Sequence, residues 1–218
     1  NRRSYLSVID IYSNDPKVIP LADTKLPDAG TVNEGDADYV LASTDFGNRV
    51  ASQWTGNTAK DYYLINTKTG QRKKIIENLK GNAASSPSGN YIIYFDSEKG
   101  NYYTYNVLTE KIVALKSGSV KFADELNDVP DSPRSYGIAA WMEGDKSVLI
   151  YDRYDIWAFS PDGKNKKKNL TNGFGRAQQI TFRYQQTDPE SRFIKPNEVI
   201  WLDAFNNLTK ENGFYRKN

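Results

Sequence analysis

The residues able to do chemistry are unevenly supplied in this chain of 218 residues. It contains no His and no Cys. The imidazole that usually serves as general base is therefore missing, and so are the thiolates that hold zinc or form disulfides. Carboxylates are the acid–base groups that remain. Asp10, Asp96, Asp152 and Asp203 fall at or near the ends of predicted strands. Carboxylates in such places can form a glycosidase pair or hold a cation around a channel; the simpler reading is that their side chains close turns. Asp152-Arg153-Tyr154-Asp155 is the densest cluster. Arg153 has the planar fork that grips a peptide carboxylate, and Asp152 would flank it; the plainer alternative is an intramolecular ion pair within a tight turn. Arg134 and Tyr136 lie in a loop insertion. Loops of that kind often carry recognition, but both residues would equally pack against the next sheet. Arg72-Lys73-Lys74 and the lysines at 164, 166, 167 and 168 sit in turns without interleaved stacking aromatics. That pattern reads as a solvated surface and not as a nucleic-acid site. No cofactor or metal site is expected.

The elements that position these groups are short strands. Residues 82 to 115 read as four strands with three tight turns: Ala83 to Ser86, Tyr91 to Asp96, Asn101 to Val107 and Ile112 to Leu115. In the first turn, Pro87-Ser88-Gly89-Asn90, Pro fixes φ and Gly accepts positive φ. Four antiparallel strands in about thirty-five residues are the size of one β-propeller blade. The unit recurs. Upstream, Tyr39 to Ser43, Arg49 to Thr55 and Asp61 to Asn66 read as successive strands. Downstream, Ile138 to Trp141, Ser147 to Asp152 and Asp155 to Phe159 do the same. Second strands then begin at Arg49, Tyr91, Ser147 and Val199, at intervals of 42, 56 and 52 residues. A two-sheet sandwich has frequent turns but not this long period.

The expected fold is therefore all-β: a β-propeller segment of four-stranded antiparallel blades, about three full blades and two part-blades. The part-blades are 1–21 and 177–217, and the blades are 39–79, 82–120 and 136–172. Residues 22–38 read as a connecting loop, and Phe122 to Val129 as a single helical turn stopped by Val129-Pro130. Ala177 to Tyr184 opens the last part-blade. Trp54, Trp141, Trp157 and Trp201 are expected in the core between blades, with sugar stacking as the alternative. Aromatics reach 13%, with fifteen Tyr, a residue suited to strands with one wet face. The net charge is only +2, so no strongly charged partner is implied. No apolar run is long enough to span a bilayer. The chain starts Asn-Arg-Arg, so removal of an upstream segment is expected. Asn169-Leu170-Thr171 and Asn207-Leu208-Thr209 fit the glycosylation pattern.

Longer strings go further. Val129-Pro130-Asp131-Ser132-Pro133-Arg134-Ser135-Tyr136-Gly137, Asp152-Arg153-Tyr154-Asp155-Ile156-Trp157, Asn169-Leu170-Thr171-Asn172-Gly173 and Glu211-Asn212-Gly213-Phe214-Tyr215 resemble the β-propeller of bacterial serine peptidases of the prolyl oligopeptidase and dipeptidyl peptidase family, its Bacteroidetes-type members in particular. The DRYDIW and NLTNGFGR strings are the more specific. The resemblance implies a seven- or eight-bladed ring, an oligopeptide substrate, a periplasmic or exported enzyme, and an α/β-hydrolase domain carrying the Ser-Asp-His triad. That domain would lie beyond residue 218, since these residues hold no G-x-S-x-G and no His. This chain would then gate or orient peptides. A stand-alone propeller acting as a protein-binding scaffold, and a glycan-active propeller, are the other classes. An open arc is expected rather than a closed four-bladed ring, and its bare blade faces would promote self-association.

Overall fold

The structure is a computed structural model that describes residues 3–55 and 58–217. The chain divides into two compact units, residues 1–85 and 86–218. It is all-β in architecture, built of antiparallel sheets of propeller-blade type, with two short α-helices and two 3-10 turns among the described residues.

The first unit opens with β1 (Ser7–Ile9) and β2 (Val18–Pro20), which pair antiparallel. A four-stranded sheet follows in the order β3-β4-β5-β6: Asp28–Thr31, Tyr39–Thr44, Lys60–Asn66 and Arg72–Leu79. Its core is Leu21, Leu26, Val40, Ala42 and Ile65. The strand β7 (Ala83–Ser85) ends the unit.

Two expectations are corrected here. The segment 22–38 is not a plain connection, because it contains β3, paired with β4 from Asp28↔Ser43 to Thr31↔Val40. The first four-stranded sheet thus begins at residue 28, and Tyr39 to Thr44 is its second strand. Arg49 to Thr55 is not a strand but the helix α1 (Arg49–Thr55). Asn48 anchors its base, with Nδ2 donating to Ala59 O and Asn78 Oδ1, both at 3.0 Å. With this correction the repeat becomes more regular. Second strands begin at Tyr39, Tyr91, Val148 and Ile200, spaced 52, 57 and 52 residues apart.

In the second unit β8 (Tyr91–Asp96), β9 (Asn101–Asn106) and β10 (Ile112–Ala114) form a ladder. The next sheet has the order β11-β12-β13-β14: Ile138–Trp141, Val148–Tyr151, Ile156–Phe159 and Lys168–Asn169. After the helix α2 (Phe174–Gln178) come β15 (Ile180–Gln185), β16 (Ile200–Asn206) and β17 (Asn212–Lys217). Ala177 therefore belongs to a helix, and the strand starts at Ile180.

The expected helical turn at Phe122 to Val129 does not form. Ala123 makes an antiparallel bridge to Ser135, and the Asp124 carboxylate takes the Leu126 N–H, so the local backbone is committed to an extended hairpin and a side-chain turn. Phe122 itself is fully buried, with its ring 5.2 Å from that of Tyr102 and 5.3 Å from that of Phe159. The tryptophans divide. Trp141 is in the core and Trp157 is half-buried, whereas Trp54 is 87% exposed on α1 and Trp201 41% exposed on β16. The first strand assignment at Arg49 placed Trp54 inside; a helix outside the sheet leaves it in water.

β8 is the best-buried long strand. Ile92, Ile93, Tyr94 and Phe95 are all buried, and Ile93 lies in the core with Phe95, Leu115, Phe122, Trp141 and Ile150. Ile93→Asp places an unpaired carboxylate there. We expect a loss of about 3–5 kcal/mol, read as a large fall in the thermal midpoint; melting like the parent chain would show that the strand is not central.

Candidate functional site: an aspartate and arginine network around residues 152–176

The sheet β11-β12-β13-β14 turns between its second and third strands through Asp152-Arg153-Tyr154-Asp155. Asp152 is 2% exposed. Its Oδ1 accepts the N–H groups of Tyr154 and Asp155, both at 2.7 Å, and its Oδ2 accepts Trp157 Nε1–H at 3.0 Å. Asp155 is 1% exposed. It accepts the Thr171 hydroxyl, the Gly175 N–H at 3.0 Å and the Arg176 N–H at 3.1 Å. One carboxylate thus shapes the turn and the other fastens it to the segment Asn169–Arg176. Leu170 N–H completes the join by donating to Ile156 O at 2.8 Å.

Arginines ring this framework. Arg176 forms a bidentate pair with Glu125, at 2.6 and 3.2 Å, and lies 3.5 Å from Asp152 Oδ2. The Arg176 guanidinium holds the Glu125 carboxyl below its ordinary range. The guanidinium carbons of Arg153 and Arg176 lie 4.9 and 5.1 Å from the centroid of the same ring, that of buried Tyr154. Arg183, lowered by burial, donates to Phe182 O at 2.7 Å and lies 4.5 Å over Tyr151. Arg153 is half-buried and, among the described residues, forms no ion pair.

The same turn runs along β15. Phe182 N–H donates to Tyr154 O at 2.8 Å, and Tyr184 N–H donates to the Tyr151 hydroxyl at 2.9 Å. Backbone groups of an edge strand are thereby satisfied.

The four residues singled out in the sequence have different fates. Asp152 is consumed by backbone amides and an indole. Arg153 projects from the turn, stacked on Tyr154. Arg134 is exposed, with its carbonyl accepting Asp124 N–H at 2.8 Å. Tyr136 is half-buried; its hydroxyl donates to Asp124 Oδ1 at 3.1 Å and accepts Glu125 N–H at 2.7 Å. Burial, reinforced by the Asp124 carboxylate, pushes that phenol up to about 12. Arg153 and Tyr136 belong to one neighbourhood through Glu125, on which the charge of Arg153 acts. The ion pair expected within the turn does not form: Arg153 stacks on Tyr154, and it is Arg176 that pairs with Glu125 and lies 3.5 Å from Asp152. Sequence reading assigned no role to Arg176, Glu125 or Asp145. The strings DRYDIW and NLTNGFGR did point to Arg176, but nothing local signalled that they meet.

Asp145 plays a similar part elsewhere in this unit. It is 3% exposed, has φ of 56°, and accepts Ser86 Oγ–H at 2.7 Å, Asn90 Nδ2–H at 2.9 Å, Ser88 N–H at 3.1 Å and Asn90 N–H at 3.2 Å. It fixes the Pro87-Ser88-Gly89-Asn90 turn from the neighbouring sheet. Asp10 and Asp96 close turns locally, by accepting Tyr12 N–H and the N–H groups of Glu98 and Lys99. Among the described residues there is no group of three carboxylates placed to hold a metal, and no helix is long and apolar enough to cross a membrane.

Gly175 carries the tightest steric demand. A Cβ there would sit 2.7 Å from Asp155 Oδ1, 2.8 Å from Ile180 O and 2.9 Å from Tyr154 O. Two of these are backbone atoms. Gly175→Ala should cost about 2–3 kcal/mol and lower the midpoint by roughly 5–10 °C. An unchanged midpoint would mean that the turn and α2 are not held against each other.

No family model and no curated protein matches the chain. Solved structures similar to it are propellers. One is the β-propeller domain of the trilobed protease from Pyrococcus furiosus, described as having an open velcro topology, at 10% identity and a TM-score of 0.49, covering 96% of this chain and 60% of that one. Another is a putative TolB from Agrobacterium tumefaciens, at 13% identity and 0.47, covering 99% and 75%. A prolyl endopeptidase matches at 12% identity and 0.45, covering 88% of this chain and 28% of its own. The chain spans about half the length of the TolB from Acinetobacter baumannii, which it also matches. The blade assignment rests on the strand pairing described above.

Proposed function

We propose that this chain is the non-catalytic β-propeller region of a bacterial, exported serine peptidase of the prolyl oligopeptidase family, which orients oligopeptides for a separate α/β-hydrolase domain. The observation that supports this reading is the use made of the two family-like strings. DRYDIW and NLTNGFGR fold into one network, in which Asp152 and Asp155 are spent on backbone amides and Arg153 is left displayed. A glycosidase pair needs two carboxylates free to exchange protons. The buried carboxylates Asp145, Asp152 and Asp155 each accept at least three hydrogen bonds. Such groups hold a shape.

In this reading Arg153 and Arg134 face the peptide and Tyr136 braces the loop between them and the sheet. A guanidinium held against an aromatic ring is pre-organised for a carboxylate or a peptide carbonyl.

Two measurements test this. Purified residues 1–218 should neither take up a fluorophosphonate probe nor cleave dipeptidyl chromogenic substrates, while the protein encoded by the complete reading frame should do both. Labelling of the isolated region would overturn the non-catalytic assignment, and a reading frame without a nucleophile elbow would overturn the reading in favour of a binding scaffold. In the complete enzyme, Arg153→Ala should raise KM about tenfold with kcat little changed, and Arg153→Lys should not restore it, since an ammonium lacks the planar fork. An unchanged KM would remove Arg153 from the substrate side.

A further inference from the structure

In the first unit the connection from β4 to β5 is far longer than its counterpart from β8 to β9, which turns through Ser97–Gly100 alone. The added length carries α1. Val50 and Trp54, four residues apart, share one side of α1; Phe46 lies in the turn that leads into the helix, with the Arg49 guanidinium carbon 5.9 Å from its ring centroid. Phe46, Val50 and Trp54 are 53%, 74% and 87% exposed. An isolated helix of seven residues does not hold itself together in water. This one is fastened to the sheet by the two Asn48 side-chain bonds and by Phe46 N–H donating to Thr44 Oγ1 at 3.1 Å. The unit thus spends hydrogen bonds on displaying apolar side chains to solvent.

Resting on the peptidase reading above, we infer that Phe46, Val50 and Trp54 form the docking surface for another folded domain of the same polypeptide, one that presents a concave apolar groove. Two physical arguments select this occupant. The first is area. The three side chains offer on the order of 400 Å², against about 800 Å² per partner in a stable complex of free proteins. A contact this small suffices only when the partner is tethered, where the effective concentration reaches the millimolar range. The second is charge. Arg49, the basic residue of the helix, is paired to Asp45 at 2.6 Å. The segment is therefore neutral and lacks the surplus of cations that binds anionic lipid. A groove receiving helix anchors at i and i+4, as Val50 and Trp54 are placed, is a known way for proteins to read a helix.

The test uses the complete protein and residues 1–218, both labelled with 5-fluorotryptophan, with the Trp54 resonance identified by Trp54→Phe. In residues 1–218 the fluorine should show nearly the full shift between H₂O and D₂O. In the complete protein that shift should fall by more than half. Val50→Glu should leave the melting of residues 1–218 unchanged, because Val50 is exposed, yet speed protease cleavage between the domains of the complete protein at least tenfold. An unchanged isotope shift beside an intact hydrolase domain overturns the docking inference alone, as does a Val50→Glu protein cleaved like the parent. Trp54 shielded by a second domain that lacks a nucleophile elbow upholds docking and overturns the peptidase reading. A complete protein with no second domain overturns both.

Discussion

The second unit depends on buried carboxylates held chiefly by hydrogen bonds, with the Arg176 guanidinium 3.5 Å from one of them, Asp152. Asp145, Asp152 and Asp155 are removed from water, and each recovers the lost hydration from backbone N–H groups and short polar side chains. A buried carboxylate that accepts three or more hydrogen bonds is specific in a way that apolar packing is not, because its partners have fixed positions and directions. Strand pairing makes the individual sheets; these aspartates decide how one turn meets the next. Removing any one of them strands several amides at once, so the network acts as a unit.

Around that framework the arginines are arranged by stacking as much as by charge. Tyr154 receives two guanidinium groups, Tyr151 a third, and only Arg176 has a full carboxylate partner. Stacking orders a guanidinium without occupying its donors. That separates Arg176, whose donors are engaged by Glu125, from Arg153, whose plane is held while its edge stays available. The distinction between a structural and a displayed arginine is drawn here by geometry, since the two are identical in type and close in space.

Much of the strand order was legible in the sequence. The runs at 91–96, 101–106, 148–151 and 200–206 are rich in Ile, Tyr, Val and Phe, and each is bounded by an Asx, Gly or Pro turn. Those signals are local, and they were sufficient. The errors lie where local signals conflict. Arg49 to Thr55 carries β-compatible Val and Trp, but the Asn48 anchor and the low β-propensity of Ala, Ser and Gln favour a short helix. Asp28–Thr31 is a strand made of residues with little strand preference, formed because β4 offers it an edge. The candidate site was legible only in halves. Asp152 and Arg153 stand out by sequence, whereas Glu125 and Arg176 are ordinary charged residues until a distance of 2.6 Å joins them across fifty-one positions.

The hydrogen bonds from β15 to the Asp152–Asp155 turn bear on how the chain is made. Phe182 and Tyr184 donate to groups that precede them by 28 and 33 residues. During synthesis the turn leaves the ribosome first, already shaped by the two amides that Asp152 accepts. When β15 emerges, a ready acceptor is waiting along its edge. At this junction the acceptors precede the donors in the chain, so β15 meets groups already made. Vectorial synthesis and the direction of these bonds agree, and a chain reordered by circular permutation within residues 156–180 would lose that agreement while keeping every native contact.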